Sequence, residues 1–232
     1  MKKVVCMQLG IFLLIFALSF PINPSLATSV PPEGLPDTYK ALADIRAKDV
    51  YPGESIKHAL VGAVFPKGVE AMALKFSNVT AAFYGTSLFQ AGKQWGWKNI
   101  DPLSKAIFRQ IGQAKTAEAL EMGIDLPKDS RAPGLVFITA VFTSSPEYNF
   151  EFIKYTPEET VVRIFGADRY YRAAKALAIE SYLTWPVLSP FFEGIAEKMG
   201  IKCIISMKVN RLEKDGTCDF MAKFTMESGR GK

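Results

Sequence analysis

Histidine is nearly missing from this chain of 232 residues: His58 stands alone. Zinc centres draw on several His or Cys side chains at short spacings. No Cys-x-x-Cys or His-x-x-x-His occurs here, so a metal site of that kind is excluded. A Ser-His-Asp triad would have to use His58, and no Gly-x-Ser-x-Gly elbow exists to pair with it. His58 follows Pro52-Gly53 in a helical stretch and reads as an exposed or capping residue. Phosphate loops and dinucleotide fingerprints are missing too, so the sequence identifies no particular cofactor and leaves it unknown. Excess charge is equally scarce. The formal net charge is +5, basic residues are scattered, and a nucleic-acid partner is not implied. Long apolar runs are limited to one, at the N-terminus.

That run carries an export pattern. Lys2 and Lys3 precede the nearly uninterrupted hydrocarbon of Leu9 to Leu18, Pro21 and Pro24 follow, and Ser25-Leu26-Ala27 supplies small residues before a cleavage point. Residues 1–27 are therefore expected to be a signal peptide, which places the mature chain in the periplasm or outside the cell, with no membrane contact after cleavage. The rival is an uncleaved anchor, because Val4 to Phe20 approaches the roughly 17–25 residues that span a bilayer. Cys6 precedes the apolar core and cannot become a lipid-bearing first residue. Residues 28–36 hold three prolines and read as an extended linker.

The remainder, 37–232, reads as one α+β domain: a helical N-terminal half packed with an antiparallel sheet that ends in a C-terminal β-hairpin. In the helical part, 37–123, Asp37 caps a short helix carrying Tyr39, Leu42 and Ile45. A segment from Pro66 places Val69, Met72, Phe76, Val79 and Phe83 on one stripe, expected to face the core. Asp101-Pro102 opens a helix with Leu103, Ile107, Ile111 and Leu120, ended by Gly123. In the sheet-containing part, 135–226, Leu135 to Phe142, Tyr148 to Tyr155 and Thr160 to Phe165 are rich in β-branched and aromatic residues and are expected as strands. The turn Thr156-Pro157-Glu158-Glu159 could also start a helix, with Thr as cap and Pro at the first position. Helices are expected from Asp168 to about Leu183, closed by Pro186, and from Ser189-Pro190 to Gly200.

At the C-terminus, Ile201, Cys203, Ile205, Met207 and Val209 alternate with mostly polar residues; beyond Asp215-Gly216 the apolar set becomes Cys218, Phe220, Ala222, Phe224 and Met226. A two-residue Asp-Gly turn pairing Lys214 with Thr217 puts both sets on one face. That register places Cys203 opposite residue 228 and Cys218 opposite Glu213, about 33 Å apart along a strand. Disulfide geometry allows no more than about 7 Å between Cα atoms, so both thiols are expected free. They are either small buried apolar residues or, for Cys218, a nucleophile at a pocket rim.

Glu193, between Phe192 and Gly194, is either a carboxylate whose pKa is raised beside aromatic rings, fit for acid–base work, or a solvated residue beside Glu197. Gly194 weakens a helix by about 1 kcal/mol relative to alanine and asks for a packing or access reason. Trp185 and Tyr182 line an aromatic pocket or belong to the core. Asn78-Val79-Thr80 fits a glycosylation sequon.

Taken together, Thr160-Val-Val-Arg-Ile-Phe165, the Ala-rich helix, Pro190-Phe-Phe-Glu-Gly-Ile195 and Lys214-Asp-Gly-Thr-Cys-Asp-Phe220 resemble the L-2-amino-thiazoline-4-carboxylic acid hydrolase-like family. More distantly they resemble 4-vinyl reductase and haem-nitric-oxide-binding-like domains. The resemblance covers about residues 150–226. It implies helices packed on an antiparallel sheet around a small-molecule pocket, and hydrolysis of a cyclic C–N or amide-like substrate. On that reading Glu193 is the general base and Cys218 the nucleophile or orienting group. Phe191, Phe192, Phe220, Phe224 and Trp185 then line the pocket for a small organic molecule. The alternative is a non-catalytic ligand-binding or sensor module. Gly166-Ala167 stands where family members often carry a cysteine, and an export signal is also unusual for the family. Nothing in the sequence sets the oligomeric state.

Overall fold

The computed structural model describes residue 40 and residues 46–227. The expected signal peptide, the linker and, apart from Lys40, the helix begun by Asp37 lie outside the described residues. The chain divides into two compact units, Met1–Phe65 and Pro66–Lys232. In the first, helix α1 (Glu54–Val64) buries only Val61. His58 lies on it with its side chain 37% exposed and Nε2 3.8 Å from the Glu54 carboxylate, one turn back.

The second unit runs α2 (Val69–Trp95), α3 (Ile100–Glu121), α4 (Ala132–Ser144), β1 (Tyr148–Tyr155), β2 (Glu159–Ala167), α5 (Arg169–Ala176), α6 (Leu188–Met199), β3 (Cys203–Leu212) and β4 (Thr217–Met226). Short 3₁₀ turns at Trp97–Asn99 and Glu180–Tyr182 join α2 to α3 and α5 to α6. The four strands form one antiparallel sheet in the order β1-β2-β4-β3. The class is therefore α+β with a C-terminal hairpin. Val162, Ile164, Cys218, Phe220, Ala222 and Phe224 fill the inner face of the sheet with almost no exposed surface. Phe137 of α4 and Phe192 of α6 close the core over them, with ring centroids 5.7 Å apart and Phe192 4.8 Å from Phe224.

Helix α2 is present where the spacing placed it, but turned the other way. Val69, Phe76, Val79 and Phe83 are 68%, 65%, 56% and 76% exposed. The buried side is Ser77, Ala81, Tyr84, Gly85, Leu88, Ala91 and Gly92. Tyr84 and Leu88 enter the core. A Cβ at Gly85 would lie 3.1–3.2 Å from side-chain atoms of Leu177 and Ala173, so the surface at that point must be small.

Residues 135–142, expected as a strand, form the middle of α4. Pro133 occupies the first turn, and the Asp129 carboxylate accepts from the Arg131 backbone N–H at 3.0 Å. The helix is buried on nearly every side, so it has no polar face and no 3.6-residue signature to set against its β-branched composition. Thr139, Thr143 and Ser144 return their hydroxyls to carbonyls one turn back.

Strands β1 and β2 match the expected segments, joined through the Thr156–Glu159 turn. Helix α5 stops at Ala176 rather than near Leu183, because Ala178 takes a left-handed conformation (φ 54°) and the Ile179 N–H returns to the Ala174 carbonyl. Helix α6 begins at Leu188, so Ser189 and Pro190 lie inside its first turn and Ser189 makes no capping bond. Helices α3 and α6 end as expected near Gly123 and Gly200. In each the residue after glycine donates to the carbonyl five residues back, Ile124 to Ala119 and Ile201 to Ala196.

The hairpin differs in its turn. Glu213, not Lys214, pairs with Thr217 through a 2.8 Å bond, leaving the three-residue loop Lys214-Asp215-Gly216. Gly216 has φ +87°, and a Cβ there would meet the Asp168 carbonyl oxygen at 2.8 Å; only glycine fits this turn and this neighbour. Further along, an irregularity at Asn210 between Val209↔Phe220 and Arg211↔Asp219 shifts the register by one. Leu212 and the odd residues Cys203, Ile205 and Met207 thus all pack toward the core. Cys203 pairs with Met226 and Cys218 with Leu212, and both thiols are free.

Candidate functional site

One row of residues crosses the sheet at the end nearest α5: Tyr148 pairs with Gly166, Gly166 with Cys218 and Cys218 with Leu212. Charged groups are buried behind that row. Glu147, just ahead of β1, pairs with Arg169, the first residue of α5, and their side chains are 5% and 2% exposed. Ser77 of α2 donates its hydroxyl to Glu147 at 2.7 Å, and Arg169 Nη2 donates to the Tyr170 hydroxyl at 2.6 Å. The Tyr170 ring meets Tyr84 and Phe108 edge-on at 5.2 and 4.9 Å.

Asp168 ties this cluster to the hairpin. Its side chain caps α5, accepting from the Tyr171 N–H at 2.9 Å, while its own N–H donates to the Gly216 carbonyl at 2.7 Å. Asp168 Oδ2, Tyr148 Oη and Arg169 Nε have no hydrogen-bond partner of normal geometry. Burial pushes the Asp168 carboxyl up to about 6, against the opposing pull of the α5 N–H groups, the Tyr148 hydroxyl and Arg169. Burial also raises the Tyr148 phenol well above its ordinary value. The Cys218 thiol is pushed up to about 12, first by burial and then by the Asp168 and Asp219 carboxylates.

Beside the cluster lies an open cleft of about 450 Å³. Val141 and Phe142 of α4, Pro146, then Tyr148, Asn149 and Phe150 of β1 and Phe165 of β2 line it. Phe142 and Phe150 meet edge-on at 6.3 Å, and the Arg163 guanidinium lies 5.0 Å from the Phe165 ring centre, held by Asp219 at 2.7 Å. Carboxylates, amines and thiols do not line the cleft; Asn149 brings a polar side chain to it, while the Tyr148 hydroxyl is buried away from solvent. Tyr148 therefore belongs to the wall of the cleft and to the buried cluster alike.

The residues singled out in the sequence lie elsewhere. Glu193 is on the outer side of α6, its side chain 40% exposed, and pairs with Arg109 of α3. Arg109 also reaches Glu197 at 3.4 Å, and Gln113 donates to Glu197 at 3.0 Å. Gly194 has a packing reason: a Cβ there would lie 2.0 Å from the Arg109 carbonyl oxygen. Across the same crossing, a Cβ at Gly112 would lie 2.0 Å from the Phe191 carbonyl oxygen. Phe191, Phe192, Phe220 and Phe224 are buried against one another as core. Trp185 donates its indole N–H to the Glu180 carbonyl at 2.9 Å and packs on Tyr171 at 5.0 Å. Cys218 has no exposed surface, and its charged neighbours are Asp168, Asp219, Arg211 and Glu147 rather than Glu193.

The buried cluster left one trace in the sequence. Arg169 follows the Asp168 cap directly, in a helix's first turn, where the dipole disfavours a cation; such a placement calls for an anionic partner elsewhere in the chain. Among the described residues no group of three His, Cys, Asp or Glu side chains could hold a metal ion, and no helix is long and apolar enough to cross a membrane. Comparison with protein-family models, with curated proteins and with solved structures gives no match.

Proposed function

We propose that this protein is a non-catalytic small-molecule-binding module that takes a neutral, largely aromatic ligand in the cleft between α4, β1 and β2. One observation carries the reading: an open space of about 450 Å³ walled by Phe142, Phe150 and Phe165, with the uncharged Asn149 and the flank of Tyr148 beside them. That is the size and composition of a small-ligand site. It is also the behaviour that the resemblance to 4-vinyl reductase domains implies. The hydrolytic reading needs Glu193 and Cys218 at one reacting centre. Glu193 is instead engaged with Arg109 at the surface, and a buried thiol held near 12 is protonated at neutral pH, whereas the thiolate is the nucleophile. Export belongs to the same proposal, supported by Lys2, Lys3, the Leu9–Leu18 stretch and Ser25-Leu26-Ala27.

The test uses the neutral fluorophore N-phenyl-1-naphthylamine. Saturable binding with one site per chain is expected, and Phe150→Ala or Phe165→Ala should each weaken it by about fivefold to tenfold. No saturable signal, or affinity unchanged in both variants, would overturn the proposal. So would turnover of an amide-like substrate that Glu193→Gln abolishes.

A further inference from the structure

Among the described residues of the unit Pro66–Lys232, the outward face of α2 packs against no other element, and its pattern is regular. Val69, Met72, Phe76, Val79 and Phe83 recur at alternating intervals of three and four residues, the seam spacing of two helices packed side by side. Val69, Phe76, Val79 and Phe83 are 56–76% exposed, and the opposite side of the helix is the one engaged in the core. A row of exposed aromatic and branched side chains on a well-packed helix marks an interaction surface.

We propose that two copies of this chain associate through this face, with their α2 helices antiparallel. Reversing the helix about the point between Ser77 and Asn78 sets Phe76 of one copy against Val79 of the other, and Met72 against Phe83. Four of the five stripe residues thus meet one another across a two-fold axis, and Val69 lies opposite Thr86 at the end of the seam. Its fit to another helix also shows in the flanks. Ala73, Thr80 and Ala82 border the seam with small side chains that let a second backbone approach. From 69 to 83 the only charged residues are Glu70 and Lys75, so the row of cations that a helix lying on an anionic lipid surface uses is missing. The four most exposed residues offer roughly 450 Å² of apolar surface per copy. That is somewhat over half of the ~800 Å² per partner of a standard interface, before any flanking side chain is counted. Beyond Phe83 the same face turns polar at Thr86, Ser87 and Gln90, which ends the seam.

The experiment is sedimentation equilibrium on the full chain of 25.6 kDa, with and without Phe76→Glu/Phe83→Glu, from about 1 to 100 μM. The wild-type chain should move to twice the monomer mass within this range. The doubly charged variant should stay monomeric, at least about a hundredfold weaker, with unchanged circular dichroism. Phe76→Leu/Phe83→Leu should still dimerise. A wild-type chain that remains monomeric at the highest concentration would overturn the proposal, as would a dimer indifferent to the two glutamates. Co-sedimentation with phosphatidylglycerol vesicles that the glutamates abolish, without self-association in solution, would assign the face to lipid and overturn it too.

Discussion

Gly194→Ala sets two physical effects against each other. In an isolated helix alanine is favoured over glycine by about 1 kcal/mol. At position 194 the new methyl would lie 2.0 Å from the Arg109 carbonyl oxygen, so α3 and α6 must part by about 1 Å to reach the 3.0 Å below which Cβ contacts are essentially never found. The obstacle is backbone, with no side chain to swing aside. Separation also unseats the reciprocal contact of Gly112 with Phe191 and lifts Phe191, Phe192 and Ile195 from the core. Overpacking costs about 1–3 kcal/mol in general, and two backbones moving together place this case near the top of that range. Net of the propensity gain, about 2 kcal/mol of stability is lost, a fall of roughly 4–8 °C in Tm for a domain of this size. Thermal melts of wild type, Gly194→Ala and Glu193→Ala at pH 7 measure it. Glu193→Ala removes only an exposed ion pair and should cost about 1 kcal/mol or less. A Gly194→Ala Tm at or above wild type would refute the close crossing, and equal losses in both variants would show that the ion pair holds the helices.

Asp168 should make stability pH-dependent in an unusual sense. Its folded pKa, about 6, exceeds the ordinary 3.8, so the unfolded chain releases the proton first. Stability falls as pH rises from about 4 to about 6, by on the order of 3 kcal/mol from this group, and its contribution is level above that. Urea midpoints across this range, with Asp168→Asn as reference, isolate the effect; an identical slope in the variant would rule Asp168 out as its source. Glu147→Gln leaves Arg169 buried without its counter-charge and should cost about 3–5 kcal/mol in chemical denaturation, against about 1 kcal/mol for Ser77→Ala, which removes one neutral donor. A loss below about 1 kcal/mol for Glu147→Gln would mean that water reaches the pair.

The sheet was the legible part of this fold because strand patterns on a half-buried surface have period two and show in the residues themselves. Strands β1, β2, β3 and β4 lie where alternation and β-branched content put them. Helix α4 was not legible: buried along most of its length, with exposure confined to Phe142 and Thr143 near its end, it shows no polar side, and its composition matches a buried strand. Helix α2 shows the opposite failure. Its apolar stripe is real, yet the side that packs mixes the core residues Tyr84 and Leu88 with Ser77, Ala81 and Gly85, the last held small by the closeness of α5. For the site, Glu193 and Gly194 stood out because a carboxylate and a glycine amid aromatics are unusual locally. Their cause is a helix crossing 84 residues away in sequence, at Arg109. The cleft wall joins Phe142 of a helix to Phe150 and Phe165 of two strands, a juxtaposition that no local spacing encodes.

Each outer strand of the sheet is interrupted once, β1 between Phe152 and Lys154 and β3 between Val209 and Arg211. The bulge in β3 corrects the facing of its side chains, and the pair together has another effect. A regular border of free N–H and C=O groups can recruit a further strand from a neighbouring molecule, the usual route by which sheets grow into fibres. Here neither border is regular, and Lys154 and Lys208 add charge close to the breaks. Both borders are thus poor templates for strand-by-strand growth. Removing Asn210 would leave every inward residue of β3 facing inward while straightening that border, so the cost would appear in solubility rather than in folding.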